Sequence, residues 1–408
     1  MPDPRPDAER LYHAAWVLPV ASPPIRGGWV AVRDGRVAAV GSGDPLGGSG
    51  RHATDLGDVA VLPGLVNAHT HLELSALRGR VAPAATMPVW VCDMLAARGL
   101  DPPSVEPILA AIGEAHASGT ALVGDIGNSL ATIGPLAESP VSAVVFHELL
   151  GFNLADPVGA VAAAAAAIAR APATDRVRVS LAVHAPYSCS PGLIRAVRDW
   201  LDREASRPTS VHLGESPEEL QFLRDGTGPW RDLLGALRAW NADWNPPGTD
   251  PVSYLEGLRF LDDRVLAVHG VHLGDAALDR LAARGATLVT CPRSNQWVGV
   301  GAPPVTRFYR AGVRVAIGTD SLASVPDLNL FAELAAVRQL APEVPARLLL
   351  SSATRGGAEA LGFGAELGAI EPGKRAALIA VRIPAGVADV EEYLLTGIRP
   401  SAVRWLPA

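Results

Sequence analysis

The sequence predicts an α/β protein: a (β/α)8 TIM barrel carrying a small β-sandwich domain made from the two ends of the chain. Three observations carry that prediction. Short runs rich in β-branched residues recur through the middle of the chain, each ending in polar residues and followed by a helical stretch, the pattern of parallel β/α units. Eight such units fit between residues 61 and 365, the count and size of a closed barrel. No Gly-x-Gly-x-x-Gly turn follows an early strand, which argues against the rival doubly wound sheet.

In chain order, residues 16–20, 28–33 and 36–40 read as strands, the last two joined by Asp34-Gly35 as a hairpin. The barrel strands are placed at 61–66, 121–125, 141–147, 177–184, 210–213, 265–269, 286–290 and 313–317. Helices are expected at 158–170, 191–203, 217–224, 275–284 and 328–340, several introduced by Ser or Asp, whose side chains cap free backbone N–H groups. Residues 368–382 have the texture of the first sixty, and neither segment alone buries much apolar surface. Residues 1–60 and 366–408 are therefore expected to pair as one composite β domain beside a barrel of residues 61–365. Residues 225–253 are too long for an ordinary connection, and Trp230, Trp240 and Trp244 within them favour an ordered lid.

A hydrophobic content of 49% with 19% charged residues supports a large core. The longest near-unbroken apolar run, residues 160–169, falls far short of the roughly 20 needed to cross a bilayer. Residues 1–7 have neither the basic region nor the apolar core of a signal peptide, so a cytoplasmic protein with no membrane partner is expected. A net charge of −7 without a basic cluster excludes the footprint of a nucleic-acid binder and favours a small-molecule partner. Cys92, Cys189 and Cys291 are widely spaced and read as buried thiols, not disulfides or a cysteine metal site. Of 35 basic residues only Lys374 is lysine, so a barrel lysine serving as a Schiff base or a carbamate bridge is excluded.

The chemistry sits at the strand ends. His69 and His71 are two apart, and residues at i and i+2 of a strand share a face, so their imidazoles can converge on one ion. His184, His212, His269 and Asp320 fall at the ends of later strands, which in a barrel surround one mouth. Each histidine alone reads equally well as a hydrogen-bonded core residue; all of them meeting at one rim by accident is improbable.

At this point the chain resembles the amidohydrolase superfamily, and within it the mononuclear-metal deaminases of aromatic amino-heterocycles. The matching segments run from Leu62-Pro63-Gly64 to His69-Thr70-His71, then His184-Ala185-Pro186-Tyr187, His212-Leu213-Gly214-Glu215 and Val268-His269-Gly270. Cys291-Pro292-Arg293-Ser294-Asn295, Gly318-Thr319-Asp320-Ser321 and Leu367 to Lys374 follow in family order. The resemblance implies that His69, His71, His212 and Asp320 hold one divalent metal, zinc before iron, and that Glu215 shuttles protons while His269 orients the attacking water. His184, Ser294 and Asn295 become substrate contacts. The chemistry is sensible on its own terms, because three neutral imidazoles and a carboxylate suit zinc and leave a position for water, whose pKa falls from 15.7 to roughly 7. Glu218 and Glu219 read only as charges favourable at a helix start.

The segment Leu72-Glu73-Leu74-Ser75 departs from adenosylhomocysteine and methylthioadenosine deaminases and is similar to the subgroup containing the aminodeoxyfutalosine deaminases of menaquinone synthesis. On that resemblance Glu73 grips ribose hydroxyls, Trp90 covers the base or merely packs, and Arg78 pairs with a substrate carboxylate. His147 with Glu148 ends the third strand and is a further candidate to touch substrate. The expected function is a metal-dependent aminohydrolase replacing the exocyclic amine of an adenine-type nucleoside, with a homodimer as the candidate assembly. The alternatives are a chlorohydrolase, an amidohydrolase of another heterocycle such as a triazine or guanine, or a non-catalytic binding barrel.

Overall fold

The computed structural model describes residues 9–43, 53–99, 103–204 and 207–408; residues 1–7, discussed above, lie outside them. Eight parallel strands lie in two four-stranded sheets. The first holds β1 (Leu65–Thr70), β2 (Thr120–Gly127), β3 (Ser142–Leu149) and β4 (Val177–Val183) in that order. The second holds β5 (Thr209–Leu213), β6 (Val265–His269), β7 (Thr287–Thr290) and β8 (Arg314–Ile317). Every residue of β1, β2, β5 and β6 is buried, as befits parallel strands covered on both faces. At one seam His212 N donates to His184 O (2.8 Å); at the other Thr319 N and Asp320 N both donate to His69 O (3.1 and 3.0 Å). Both seams are therefore stitched by the residues that carry the chemistry.

The five predicted spacer helices form at Pro157–Arg170, Pro191–Arg203, Pro217–Asp225, Asp275–Arg284 and Leu330–Leu340. Capping explains where three of them begin: the side chains of Asp156, Ser190 and Ser216 accept from the backbone N–H three residues on. Helix Pro191–Arg203 buries Leu193, Ile194, Val197 and Leu201, an i, i+1, i+4, i+8 stripe that packs it on the sheet. Among the described residues no helix is long and apolar enough to cross a membrane.

The expected strand at 61–66 is in fact two. Val59–Pro63 pairs antiparallel with Leu378–Arg382 and parallel with Arg10–Val17, whereas Leu65–Thr70 pairs with β2. The break falls at Gly64, where a Cβ would lie 2.6 Å from that of Ala121 and 2.8 Å from the Trp405 ring. An apolar run does not record a change of sheet, so periodicity alone merges the two.

The chain ends meet in one seven-stranded sheet. Its order is Val403–Trp405, Leu378–Arg382, Val59–Pro63, Arg10–Val17, Ile25–Arg33 and Arg36–Ser42, with Thr54–Asp55 beside Arg10–Val17. The expected small β domain is thus built from one hydrogen-bonded sheet, whose far strands also meet: Val37 N donates to Lys374 O (2.9 Å) and Ala376 N to Gly35 O (2.8 Å). Tyr12, Ala14, Val30, Val61 and Leu378 fill its interior. Residues 225–253 are ordered, with helices Pro229–Ala236 and Pro251–Gly257, and Trp240 and Trp244 pack on Phe152 at centroid distances of 5.6 and 5.2 Å.

Candidate active site

The C-terminal ends of β1, β5 and β6 and the turn after β8 surround a cavity of about 370 Å3. His71 Nε2 lies 3.2 Å from His69 Nε2 and 3.6 Å from Asp320 Oδ1. The ligand atoms of His69, His71 and His212 fall within 4.8 Å of one another, as do those of His69, His269 and Asp320. His212 is oriented by a 3.0 Å bond from Nδ1 to His184 O, which leaves the Nε2 lone pair for a cation.

Burial and the neighbouring imidazoles push His69 and His269 well below the usual histidine range, and burial takes His71 and His212 down to about 4. All four rings are therefore neutral at physiological pH, the form that ligates metal. Two Nε2 atoms facing each other at 3.2 Å beside the partly buried carboxylate of Asp320 fit a single divalent cation, and an N3O donor set fits zinc.

The backbone at this rim is strained. His269 and Asp320 have φ of +78° and +64°, a region non-glycine residues rarely occupy, at a cost of about 1–3 kcal/mol each. Asp320 is held there from several sides: Ser294 Oγ donates to Oδ2 (2.6 Å), Ser321 N to Oδ1 (2.7 Å) and Thr70 Oγ1 to its carbonyl (3.0 Å). Asn295 Nδ2 lies 3.0 Å from His269 Nδ1. Ser294 and Asn295, expected as substrate contacts, are fully buried behind the rim and meet Asp320 and His269 instead.

Glu215 is buried, with Oε1 3.4 Å from His269 Nε2. Burial first, then the charges of Asp320 and Glu219, hold its carboxyl well above the ordinary range. Glu219, read above as a helix-start charge, is fully buried and accepts from Gly214 N (3.0 Å) and Glu215 N (3.1 Å), fixing the backbone on which Glu215 stands. Glu219→Gln turns an amide N–H2 toward one of those donors. It is expected to lower stability by about 1–3 kcal/mol in urea unfolding through a buried unsatisfied group. It should also lower kcat at least about tenfold while KM stays within about threefold, because the displaced group acts in the reaction and not in binding. Asp125, unremarked in the sequence, is also buried and accepts from Leu72 N (2.9 Å), pinning the residue after His71; burial raises its carboxyl to about 7.

His184 lines the cavity, its Nδ1 2.6 Å from Ser188 Oγ. Glu148 lines it too, with Oε2 accepting from Asn128 Nδ2 (3.0 Å), Oε1 3.4 Å from His212 Nδ1, and its carboxyl raised by burial to about 8; His147 does not reach it. Glu73 faces the cavity but its carboxylate is already engaged by Asn128 N (2.8 Å), Ser129 Oγ (2.8 Å) and Arg98 (3.3 Å). Trp90 forms part of the wall on helix Met87–Arg98. Arg78 is not brought to the cavity: a 3-10 turn at Leu72–Leu77 carries it outward to an ion pair with Glu114, and Arg98 lines the wall instead. His272 bonds to Val300 O (3.0 Å), and His116 stacks on Trp405, both outside the site. Cys189 and Cys291 are buried free thiols, but Cys92 is exposed, contrary to expectation.

Neutral imidazoles, a partly buried carboxylate and a second carboxyl poised beside them, all at the ends of parallel strands, define a metal-dependent hydrolase. The chain belongs to the amidohydrolase family, whose sequence profile it matches over residues 60–393. It is 34% identical to the aminodeoxyfutalosine deaminase of Deinococcus radiodurans over 345 residues, 82% of this chain and 81% of that protein. It superposes on the Helicobacter pylori aminofutalosine deaminase in complex with methylthio-coformycin with a TM-score of 0.84, 27% identity and 97% of each chain covered. An adenosine deaminase from Xanthomonas campestris with bound zinc gives a TM-score of 0.80 at 29% identity, covering 96% of this chain and 90% of that one.

Proposed function

We propose that this protein is a zinc-dependent deaminase of adenine-type nucleosides, aminodeoxyfutalosine among them. We also read its two parallel sheets as one closed (β/α)8 barrel, supported by the hydrogen bonds at both seams. The observation that carries the functional reading is Glu215 beside His269 at the edge of the His69, His71, His212 and Asp320 cluster.

A zinc ion held by those four residues supplies Lewis acidity and makes water acidic near neutral pH. Glu215, made more basic by burial, takes a proton from the attacking water and passes it to the ring nitrogen next to the amine-bearing carbon. The water oxygen adds to that carbon. Glu215 then carries the second proton to the amine, which leaves as ammonia, so one carboxylate acts as base and acid. His269 holds the water beside Glu215, and His184 and Trp90 fix the ring. The test is ammonia release from adenosine, 5′-methylthioadenosine, S-adenosylhomocysteine and aminodeoxyfutalosine by zinc-loaded enzyme. At least one should give kcat/KM above about 10⁴ M⁻¹s⁻¹; no turnover on any of them overturns the reading.

A further inference from the structure

Glu333 is a carboxyl cut off from solvent that takes no part in the reaction described above. It stands on helix Leu330–Leu340, is fully buried and is not among the residues lining the cavity. Burial pushes its carboxyl up to about 8. Keeping an ionisable group dry is costly to the fold, so its surroundings show what it serves.

Its polar neighbour is Arg293, the second residue of the six-residue helix Pro292–Trp297. Glu333 Oε2 accepts from Arg293 N (3.4 Å), and Oε1 lies 3.5 Å from Arg293 Nε. Arg293 Nη1 donates in turn to Asp327 Oδ1 (2.9 Å), just before helix Leu330–Leu340. A helix this short does not hold itself in water, and the residue at its start, Cys291, provides no side-chain cap. Glu333 thus does from a neighbouring helix what a Ser or Asp cap does locally, satisfying a free N–H of the first turn.

The two residues after Arg293 are the ones that reach the metal centre. Ser294 Oγ donates to Asp320 and Asn295 Nδ2 meets His269 Nδ1, one support for each strained residue of the rim. An unbroken run of contacts therefore leads from Glu333 through one short helix to both.

We propose that Glu333 is a positioning residue for the metal centre: it seats the helix Pro292–Trp297 so that Ser294 and Asn295 hold Asp320 and His269 in place. The inference rests on the zinc site read above. Glu333→Leu fills similar space and accepts no hydrogen bond, whereas Glu333→Gln turns an amide N–H2 toward one of the two Arg293 donors. Each variant should bind zinc about 10–100-fold more weakly than the parent in competition with a chelator, the usual scale for groups that orient metal ligands. Loaded with zinc, each should lose at least about tenfold in kcat while KM stays within about threefold, a split that general loosening of the fold does not produce. Ser294→Ala should weaken zinc binding by itself, yet cost no more than about threefold further when added to either variant, because both changes cut the same path. If one Glu333 variant does not fold, the other carries the comparison. Zinc affinity within about threefold of the parent in the folded variants overturns the positioning role and leaves the deaminase standing, as does a fully additive loss with Ser294→Ala. A parent that binds no zinc overturns both.

Discussion

Glu215→Gln is expected to release ammonia about 10²–10⁴-fold more slowly than the parent while keeping its fold and its metal. The amide has the shape of the acid and fits the same buried site, but it takes up no proton from water and gives none to the leaving amine. Because Glu215 is outside the donor set, metal content by elemental analysis should stay at one per chain. The group replaced is a carboxyl that burial disfavours in its charged form, so thermal stability should not fall. The measurement is ammonia release at saturating nucleoside, and a variant within about tenfold of the parent rate would remove Glu215 from the proton path.

The second large effect concerns the metal. Asp320→Asn keeps an oxygen for the N–H of Ser321 and a side chain of the same size, so the strained turn at φ +64° can persist. What it loses is the single negative charge among three neutral imidazoles, and with it the ability to hold a divalent cation tightly. After dialysis the variant should contain well under one metal per chain, with no detectable deamination. The parent, freed of metal by a chelator, should gain stability when zinc returns, by about 2.7 kcal/mol at a hundredfold excess over Kd. Calorimetric scans with and without zinc should therefore separate for the parent and coincide for Asp320→Asn. An Asp320→Asn protein that keeps a full complement of zinc through dialysis would refute the ligand assignment.

The rim was legible in the sequence because strand geometry is strict. Period two brings His69 and His71 to one face, and parallel β/α succession brings His212, His269 and Asp320 to the same end. What lay beyond the first ring of side chains was not legible. Ser294 and Asn295 sit in a recognisable segment, but which way a short helix turns them is set by tertiary packing, and it turns them onto Asp320 and His269 from behind. Arg78 turns away from the cavity and Arg98 lines it because a 3-10 turn and a twelve-residue helix set their direction, and neither leaves a periodic mark. Glu219 carried the signal in its spacing, four residues after Glu215, yet an acidic residue in a first helical turn is ordinarily solvated, and only its complete burial reveals the backbone it holds.

The interleaved terminal sheet also sets a clock on synthesis. Val59–Pro63 leads within one residue, Gly64, into the strand that bears His69, and its neighbour on one side is Leu378–Arg382, which pairs in turn with Val403–Trp405. On a ribosome making about 5–20 residues per second, that edge of Val59–Pro63 stays open until more than three hundred further residues have emerged. His69 and His71 are thus made early and anchored late, so the nascent chain passes much of its synthesis with an unpaired apolar strand edge that chaperones are suited to shield.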